Sequence, residues 1–297
     1  MAGTQTFPTV PSTGGTSTSA EYMLGAFGDG SDGNFTYVTS GSAYTIAREW
    51  NYADLTIQTG ATVKPAGFRM FVRGTFSNAG SFNDDGLSAT GATQGAGLAA
   101  RQFLGAQSGA GGAGRNTTGV GTGGSAISSS SYGSLGVMPT GGAGGQADGA
   151  NLGGTAGAAT PGSARWASLL VYGRGATAVN GGSGGGAGGC NVGTGTATSG
   201  GGGSGGGDVY IAARYIVNTG TISAIGGKGG DAVATGDGKA GGGGGGGGGH
   251  VGIVTMTPSA SIGGVVSAAG GAGGFAAGAG SPGSNGTAGS VSYLILA

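Results

Sequence analysis

Short apolar runs separated by turn residues dominate residues 35–86, the part of the chain that is poorest in glycine. Runs of this length at this spacing are typical of β-strands in the coils of a parallel β-helix or in a small stack of sheets. The predicted strands are Phe35–Val38, Ala43–Ile46, Asp54–Gln58, Ala61–Pro65 and Phe68–Arg73.

An internal repeat extends this pattern beyond residue 86. Residues 78–86 align with residues 218–226, and residues 221–232 align with residues 265–276, which lie forty-four positions later. Each copy follows an apolar run, so the predicted unit is a strand, a turn, a short strand and a glycine tract. The apolar runs are Phe68–Val72, Val209–Ala213 and Val251–Met256, and further strands are predicted at Trp166–Tyr172 and Val291–Ala297.

Glycine recurs at every third position close to the end of the sequence. A residue without a side chain at each third position suits a left-handed extended helix with three residues per turn, one face of which touches a neighbour. Collagen obeys the same rule, but this chain has 82 glycines and only 7 prolines in 297 residues. We therefore predict polyglycine-II-type segments packed side by side. The periodic positions are Gly271, Gly274, Gly280, Gly283, Gly286 and Gly289, with Ala277 in the remaining slot.

These patterns predict an all-β protein without α-helix. A short β-helix or stacked-sheet part leads into an elongated bundle of glycine-rich extended segments. The predicted regions are an extended N-terminal arm at 1–34, a β-helical or β-sheet region at 35–86, and a glycine-rich region with interspersed strands at 87–297.

Charge and composition restrict the partners. The 11 basic and 11 acidic residues are scattered along the chain, which gives no basic stripe for nucleic acid. No apolar run approaches the length that spans a bilayer, and the first residues do not resemble a secretory signal, so we expect neither membrane insertion nor a leader. Ordering so many glycines costs much conformational entropy, so we expect dense backbone hydrogen bonding and a homo-oligomer, most simply a trimer.

Two loops are candidates for calcium. Residues 226–233 fit one copy of a glycine-rich calcium repeat that contains Asp231, and Asp29 and Asp32 lie in an oxygen-rich loop. The calcium repeat binds its ion between successive copies, and only one copy is present. We therefore interpret both loops as turns and expect no metal and no cofactor.

Catalytic residues do not form a recognisable pattern. Adjacent side chains in an extended chain point to opposite faces, so Asp84 and Asp85 cannot flank one bond, although other acids could converge in space. The single histidine, His250, is interpreted as a polar residue at the start of a strand, and the single cysteine, Cys190, as a small residue in a glycine tract. We expect no enzymatic activity.

Large side chains within the glycine-rich loops are candidate receptor-binding residues. Aromatic groups on rigid loops recognise sugars and proteins, but the same side chains could instead fill gaps between extended segments. The four candidates are Phe103, Tyr132, Met138 and Phe275.

Residues 28–36 and 52–75 resemble glycine-rich phage tail and fibre proteins, in which a β-helical start leads into polyglycine tracts. Residues 171–175 and the glycine runs that follow are similar in style to the distal tail-fibre adhesins of T-even phages. That resemblance implies layered polyglycine helices that bind outer-membrane proteins through loops at the tip. No binding residue carries over to this chain.

Several functions remain open from the sequence. The first is a non-enzymatic tail or fibre protein of a phage virion, assembled in the host cytoplasm, that contacts other virion proteins and a host receptor. The second is a capsid decoration protein or head fibre that uses residues 1–34 as its anchoring arm. Ice binding or surface adhesion is a third, and a capsule-degrading enzyme would require a carboxylate cluster formed by folding.

Overall fold

The computed structural model describes residues 25–98, 108–125, 139–157 and 181–296. These ranges contain strands and two 3-10 turns, Gly25–Phe27 and Ser259–Ser261, and no α-helix, which confirms the predicted all-β class. The strands are β1 (Phe35–Tyr37), β2 (Tyr44–Thr45), β3 (Trp50–Tyr52), β4 (Leu55–Ile57), β5 (Thr62–Lys64), β6 (Arg69–Asn78), β7 (Ser81–Asn83), β8 (Cys190–Asn191), β9 (Thr196–Thr198), β10 (Asp208–Asn218), β11 (Thr221–Ser223), β12 (Val233–Thr235), β13 (Lys239–Ala240), β14 (His250–Thr255), β15 (Val265–Ser267) and β16 (Ser290–Ile295).

Two parallel sheets form the β part. A seven-stranded sheet has the order β1-β4-β6-β10-β14-β16, with β3 also beside β6, and a five-stranded sheet has the order β15-β11-β7-β5-β2. Along the chain the strands of these two sheets alternate, except that β3 and β4 both lie in the seven-stranded sheet. This is the coiled, parallel arrangement that the spacing of the apolar runs predicts. Outside the two sheets, β9 pairs with β12 and β8 pairs with β13, both antiparallel.

The core lies between the two sheets. Alternate residues of each strand point inward, which is why Val72 and Phe76 of β6 meet Phe82 of β7. Ile211 and Ile222 continue the same cluster into the next coil, and all five side chains are buried.

The internal repeat of the sequence corresponds to the strand register of the sheets. Ser81 pairs with Thr221, and Thr221 pairs with Val265, which are the positions that the sequence alignment superimposes. Asn78 and Asn218 are also paired, and the Asn78 side-chain amide donates to the Asn218 side-chain oxygen over 2.8 Å. The repeated sequence therefore gives equivalent residues stacked on neighbouring coils.

Several boundaries differ from the predicted ones. Strands β6 and β10 continue to Asn78 and Asn218, because a register shift between Ala213 and Tyr215 lets both strands stay paired past an irregularity. Strand β3 was not predicted, and the predicted strand at 166–172 lies outside the described ranges. Residues 25–34 of the predicted arm lie on the sheet, with Phe27 fully buried.

Glycine-rich hairpins are inserted between the coils. They leave the β part after β7, β11 and β15 and return to it at β10, β14 and β16. In the described ranges each hairpin has an outgoing and a returning arm joined by backbone hydrogen bonds. The six hairpins are residues 87–98, 108–125, 139–157, 181–207, 224–249 and 268–289.

Residues 241–249, here named the central tract, donate hydrogen bonds in three directions. Every third amide points to the same neighbour, with donor–acceptor distances of 2.7–3.1 Å. One set reaches residues 183–189, the second reaches 281–287, and the third reaches 224–230. A three-residue helix without internal hydrogen bonds presents its amides in this way. All neighbours belong to the same chain.

The three-residue step predicted at 271–289 recurs in these contacts, but the tract is interrupted. Gly274 and Gly283 lie opposite each other in antiparallel arms, and the chain reverses between Ala277 and Gly280. Gly278 has a φ of +61°, which glycine adopts without strain. Ala277 therefore fills the slot directly before the turn, where it pairs with Ala240. The elongated form and the oligomeric state stay predictions.

We expect Gly244→Ala to destabilise the fold by about 3 kcal/mol or more, because a Cβ at Gly244 would lie under 3.0 Å from the carbonyl oxygen of Gly142. Urea denaturation measures the loss. The matched control is Gly149→Ala, where no atom lies within 4 Å of an added Cβ. The control should stay within about 1 kcal/mol of the wild-type chain. Equal effects of both substitutions would contradict the packing described here.

Candidate functional site

The turns of the six hairpins lie at one end of the glycine bundle. Outgoing arms run parallel to one another, as shown by Gly109 and Gly112 donating to Gly182 and Gly185. Returning arms are parallel as well, with residues 200–206 donating to residues 241–247 at a step of three. Because all outgoing arms share one direction, the reversals meet at the same end. We name this surface the turn cluster: residues 90–93, 115–119, 147–151, 191–197, 233–239 and 277–280.

Side-chain hydrogen bonds link the turns of the cluster. The Asn191 amide donates to the Asp148 carboxylate over 2.6 Å, and Thr194 donates to Asp237 through both its amide and its hydroxyl. Residues with oxygen-bearing short side chains hold tight turns in this way. Three of the six turns, at 147–151, 191–197 and 233–239, are therefore connected by side-chain hydrogen bonds.

Two carboxylates of the cluster are held in the charged form. Hydrogen bonds from Asn191 and Asn151 lower the pKa of Asp148 to about 2. The Thr194 hydroxyl and amide lower the pKa of Asp237 in the same manner. Both aspartates lie in the turns, so the cluster presents fixed negative charge at neutral pH.

Apolar side chains are exposed beside the turns. Phe275 is 69% exposed and Val233 is 64% exposed, and these residues adjoin the turns at 277–280 and 233–239. Val120 and Leu152 are about half exposed on neighbouring arms, since the amide of Gly121 donates to the carbonyl oxygen of Leu152. Exposed apolar groups on a rigid support are suited to contact with another molecule.

Phe275 is the one predicted receptor-binding residue within the described ranges. Its amide donates to Asp231 over 2.9 Å, and the Lys228 ammonium lies 5.2 Å from its ring centroid. The ring is exposed and does not fill a gap between arms. The other three predicted residues, Phe103, Tyr132 and Met138, lie outside the described ranges.

The calcium candidates are engaged by protein groups. Asp231 forms an ion pair with Lys228 at 2.9 Å, and Asp32 forms one with Arg48 at 2.6 Å. Asp29 accepts the amide of Ser31 over 2.9 Å. In the described part of the chain, no group of three or more His, Cys, Asp or Glu side chains lies close enough to hold a metal ion.

Cys190 is buried in a small cluster with Ala197 and Ala240. Its thiol donates to the carbonyl oxygen of Ala197 over 3.4 Å, and burial raises the pKa of the thiol. A protonated, buried thiol is a poor nucleophile, so Cys190 has a packing role.

The start of the large sheet carries a row of polar residues, in which Asp208 and His250 are buried and Ser290 is partly buried. Asp208, His250 and Ser290 are register partners on β10, β14 and β16. These are the residue types of a hydrolase triad, yet neither carboxylate oxygen of Asp208 has a hydrogen-bond partner within the described ranges, so no relay links it to His250. Burial and the nearby Asp84 raise the pKa of Asp208 well above its usual range, whereas burial lowers that of His250 to about 4.

We expect the carboxyl carbon of Asp148 to titrate with a midpoint near 2 in NMR experiments on the folded chain. Asn191→Ala removes the largest cause of the lowered pKa, so its midpoint should shift upward toward 3.8. Asp29, whose pKa is lowered by Ser31 on the β part, is the internal control. A wild-type midpoint near 3.8 would contradict the hydrogen bonds between the turns.

Asp208→Asn should stabilise the chain at pH 7. Above pH 4 the unfolded chain ionises this carboxyl while the folded chain retains its proton, so folding stability falls as the pH rises through that window. The variant lacks this loss and should melt at a higher temperature than the wild-type chain at pH 7. At pH 3, where the carboxyl is protonated in both states, the two melting temperatures should nearly coincide. A lower melting temperature of the variant at pH 7 would contradict the neutral, buried carboxyl.

No family model, curated protein or solved structure matches the chain. In the described ranges, no helix has the length and apolar character needed to cross a bilayer. The function is therefore inferred from the geometry of the turn cluster.

Proposed function

We propose that the chain is a non-enzymatic component of a phage tail or tail fibre, and that its turn cluster contacts a receptor on the host cell. The observation that carries the proposal is the convergence of six hairpin turns on one end of a hydrogen-bonded glycine support. Binding residues in proteins are commonly placed on loops held by a rigid scaffold.

The support limits the entropy lost on binding. The arms that hold the turns have buried glycines, and three of the turns hydrogen-bond to one another through Asp148 and Asp237. A surface that is ordered before contact loses little conformational freedom when a partner binds.

The exposed apolar residues supply contact area. Phe275 and Val233 adjoin two turns of the cluster, and the ion pair of Lys228 with Asp231 lies beside them. An apolar centre with charged groups at its border matches the anatomy of a protein-binding surface. This composition favours a protein as the receptor. The β part, which lies away from the turn cluster, would contact other virion proteins.

The combined variant Val233→Ser, Phe275→Ser should bind host cells about tenfold more weakly or worse, because truncating central apolar contacts removes most binding energy. Fluorescently labelled chain and flow cytometry on the bacterium that supports the phage measure this loss. Val265→Ser is the matched control, since Val265 is 53% exposed on β15, outside the turn cluster. Equal binding by both variants would overturn the assignment of the contact surface.

Electron microscopy of purified phage particles labelled with gold-conjugated antibody to this chain tests where the chain lies in the virion. Gold at the tail tip or fibres is the expected result. Gold over the head would replace the proposal with capsid decoration, and particles without label would reject a virion role.

A further inference from the structure

An open groove crosses the outer face of the seven-stranded sheet, on strands β4, β6 and β10 and away from the turn cluster. It has a volume of about 510 Å³, which is within the range of small-molecule sites. The lining residues are Thr56, Ile57, Gln58, Thr59, Ser77, Asn78, Ala79, Val217 and Thr219.

Strand register creates the groove. Thr56 pairs with Ser77, and Ser77 pairs with Val217, so the three side chains share one face of the sheet. Their neighbours Leu55 and Phe76 point to the other face and are fully buried in the core. Small outward side chains on adjacent strands, followed by the turns that leave the sheet, produce the concave surface.

The groove is uncharged. None of its lining residues is acidic or basic. Hydroxyl groups come from Thr56, Thr59, Ser77 and Thr219, and Gln58 contributes an exposed amide. A ligand with a net charge would find no opposite charge in this lining, whereas a neutral ligand rich in hydroxyl groups would find matching donors and acceptors.

Apolar groups border the hydroxyl row. Val217, a lining residue, is 56% exposed. Tyr215 lies just outside the lining, two residues before Val217 on β10; it is 45% exposed, and the Arg214 guanidinium lies 5.2 Å from its ring centroid. Sugar rings combine hydroxyl edges with faces of C–H groups, and an exposed aromatic ring packs against such faces. An open groove can also bind one segment of a longer sugar polymer, whereas an enclosed pocket cannot.

We propose that this groove binds a neutral oligosaccharide. The site is separate from the turn cluster, so the chain would have two contact surfaces: one for a receptor at the turns and one for uncharged glycan on the flank of the β part. The inference stands on the groove alone and does not depend on the proposed receptor binding.

Saturation-transfer NMR on the full chain tests the proposal. The probes are uncharged trimers of glucose, mannose and N-acetylglucosamine, with an acidic trimer of galacturonic acid as the charged comparison. We expect at least one neutral trimer to receive saturation and the acidic trimer to receive little. No saturation of any neutral trimer, or stronger saturation of the acidic one, would overturn the proposal.

Two variants locate the binding. Ser77→Tyr fills the groove with a large side chain and should weaken binding about tenfold or more. Ser42→Tyr adds the same side chain at an exposed serine outside the groove and should bind like the wild-type chain. Unchanged binding by Ser77→Tyr would overturn the groove assignment. Far-ultraviolet circular dichroism and melting curves on both variants show whether the fold is kept, and Val217→Asp provides a second, smaller change in the groove if Ser77→Tyr fails to fold.

Discussion

At most interior positions of the glycine bundle there is no room for a side chain, because backbone approaches backbone closely; buried Ser183, Ala187 and Ser204 show that small side chains fit at a few positions. An added Cβ on Gly185, Gly203 or Gly244 would lie under 3.0 Å from a carbonyl oxygen of a neighbouring arm. The same closeness allows amides on all sides of an arm to find acceptors. One geometric constraint therefore explains the composition, the packing and the hydrogen bonding of this part of the chain.

Hydrogen bonding compensates for a core with few side chains. Glycine loses more backbone entropy on folding than any other residue, and burial of apolar side chains cannot offset that cost within the bundle. In the central tract each amide has a backbone acceptor, and the acceptors lie in three different arms. The β part complements this with a conventional apolar core, and its coils fix where each hairpin leaves and returns.

Strand positions, the pairing of repeated segments and the three-residue glycine step can all be predicted from the sequence. The alignment of residues 78–86 with 218–226 anticipates the pairing of Asn78 with Asn218, because stacked coils repeat the same residues. The three-residue glycine step anticipates which positions face inward. Most predicted strands are present within a few residues of their expected bounds. These features depend on neighbours in the sequence or on visible repeats.

The turn cluster could not be predicted in the same way. The nine glycines at 241–249 are identical, so they carry no signal for which arms surround them. Asp148 and Asn191 are 43 positions apart and belong to different hairpins. The short Asn- and Asp-containing breaks between glycine tracts were the available signal for turns, but only the three-dimensional arrangement of arms shows that the turns meet.

Hydrogen–deuterium exchange of the central tract tests the account most directly, with mass spectrometry on a peptide that covers residues 240–249. The hydrogen bonds described here predict exchange slowed about 10⁴-fold or more relative to an unfolded peptide, because these amides open only with the whole fold. Exchange at the rate of an unfolded glycine peptide would contradict the bundle, and with it the support for the turn cluster.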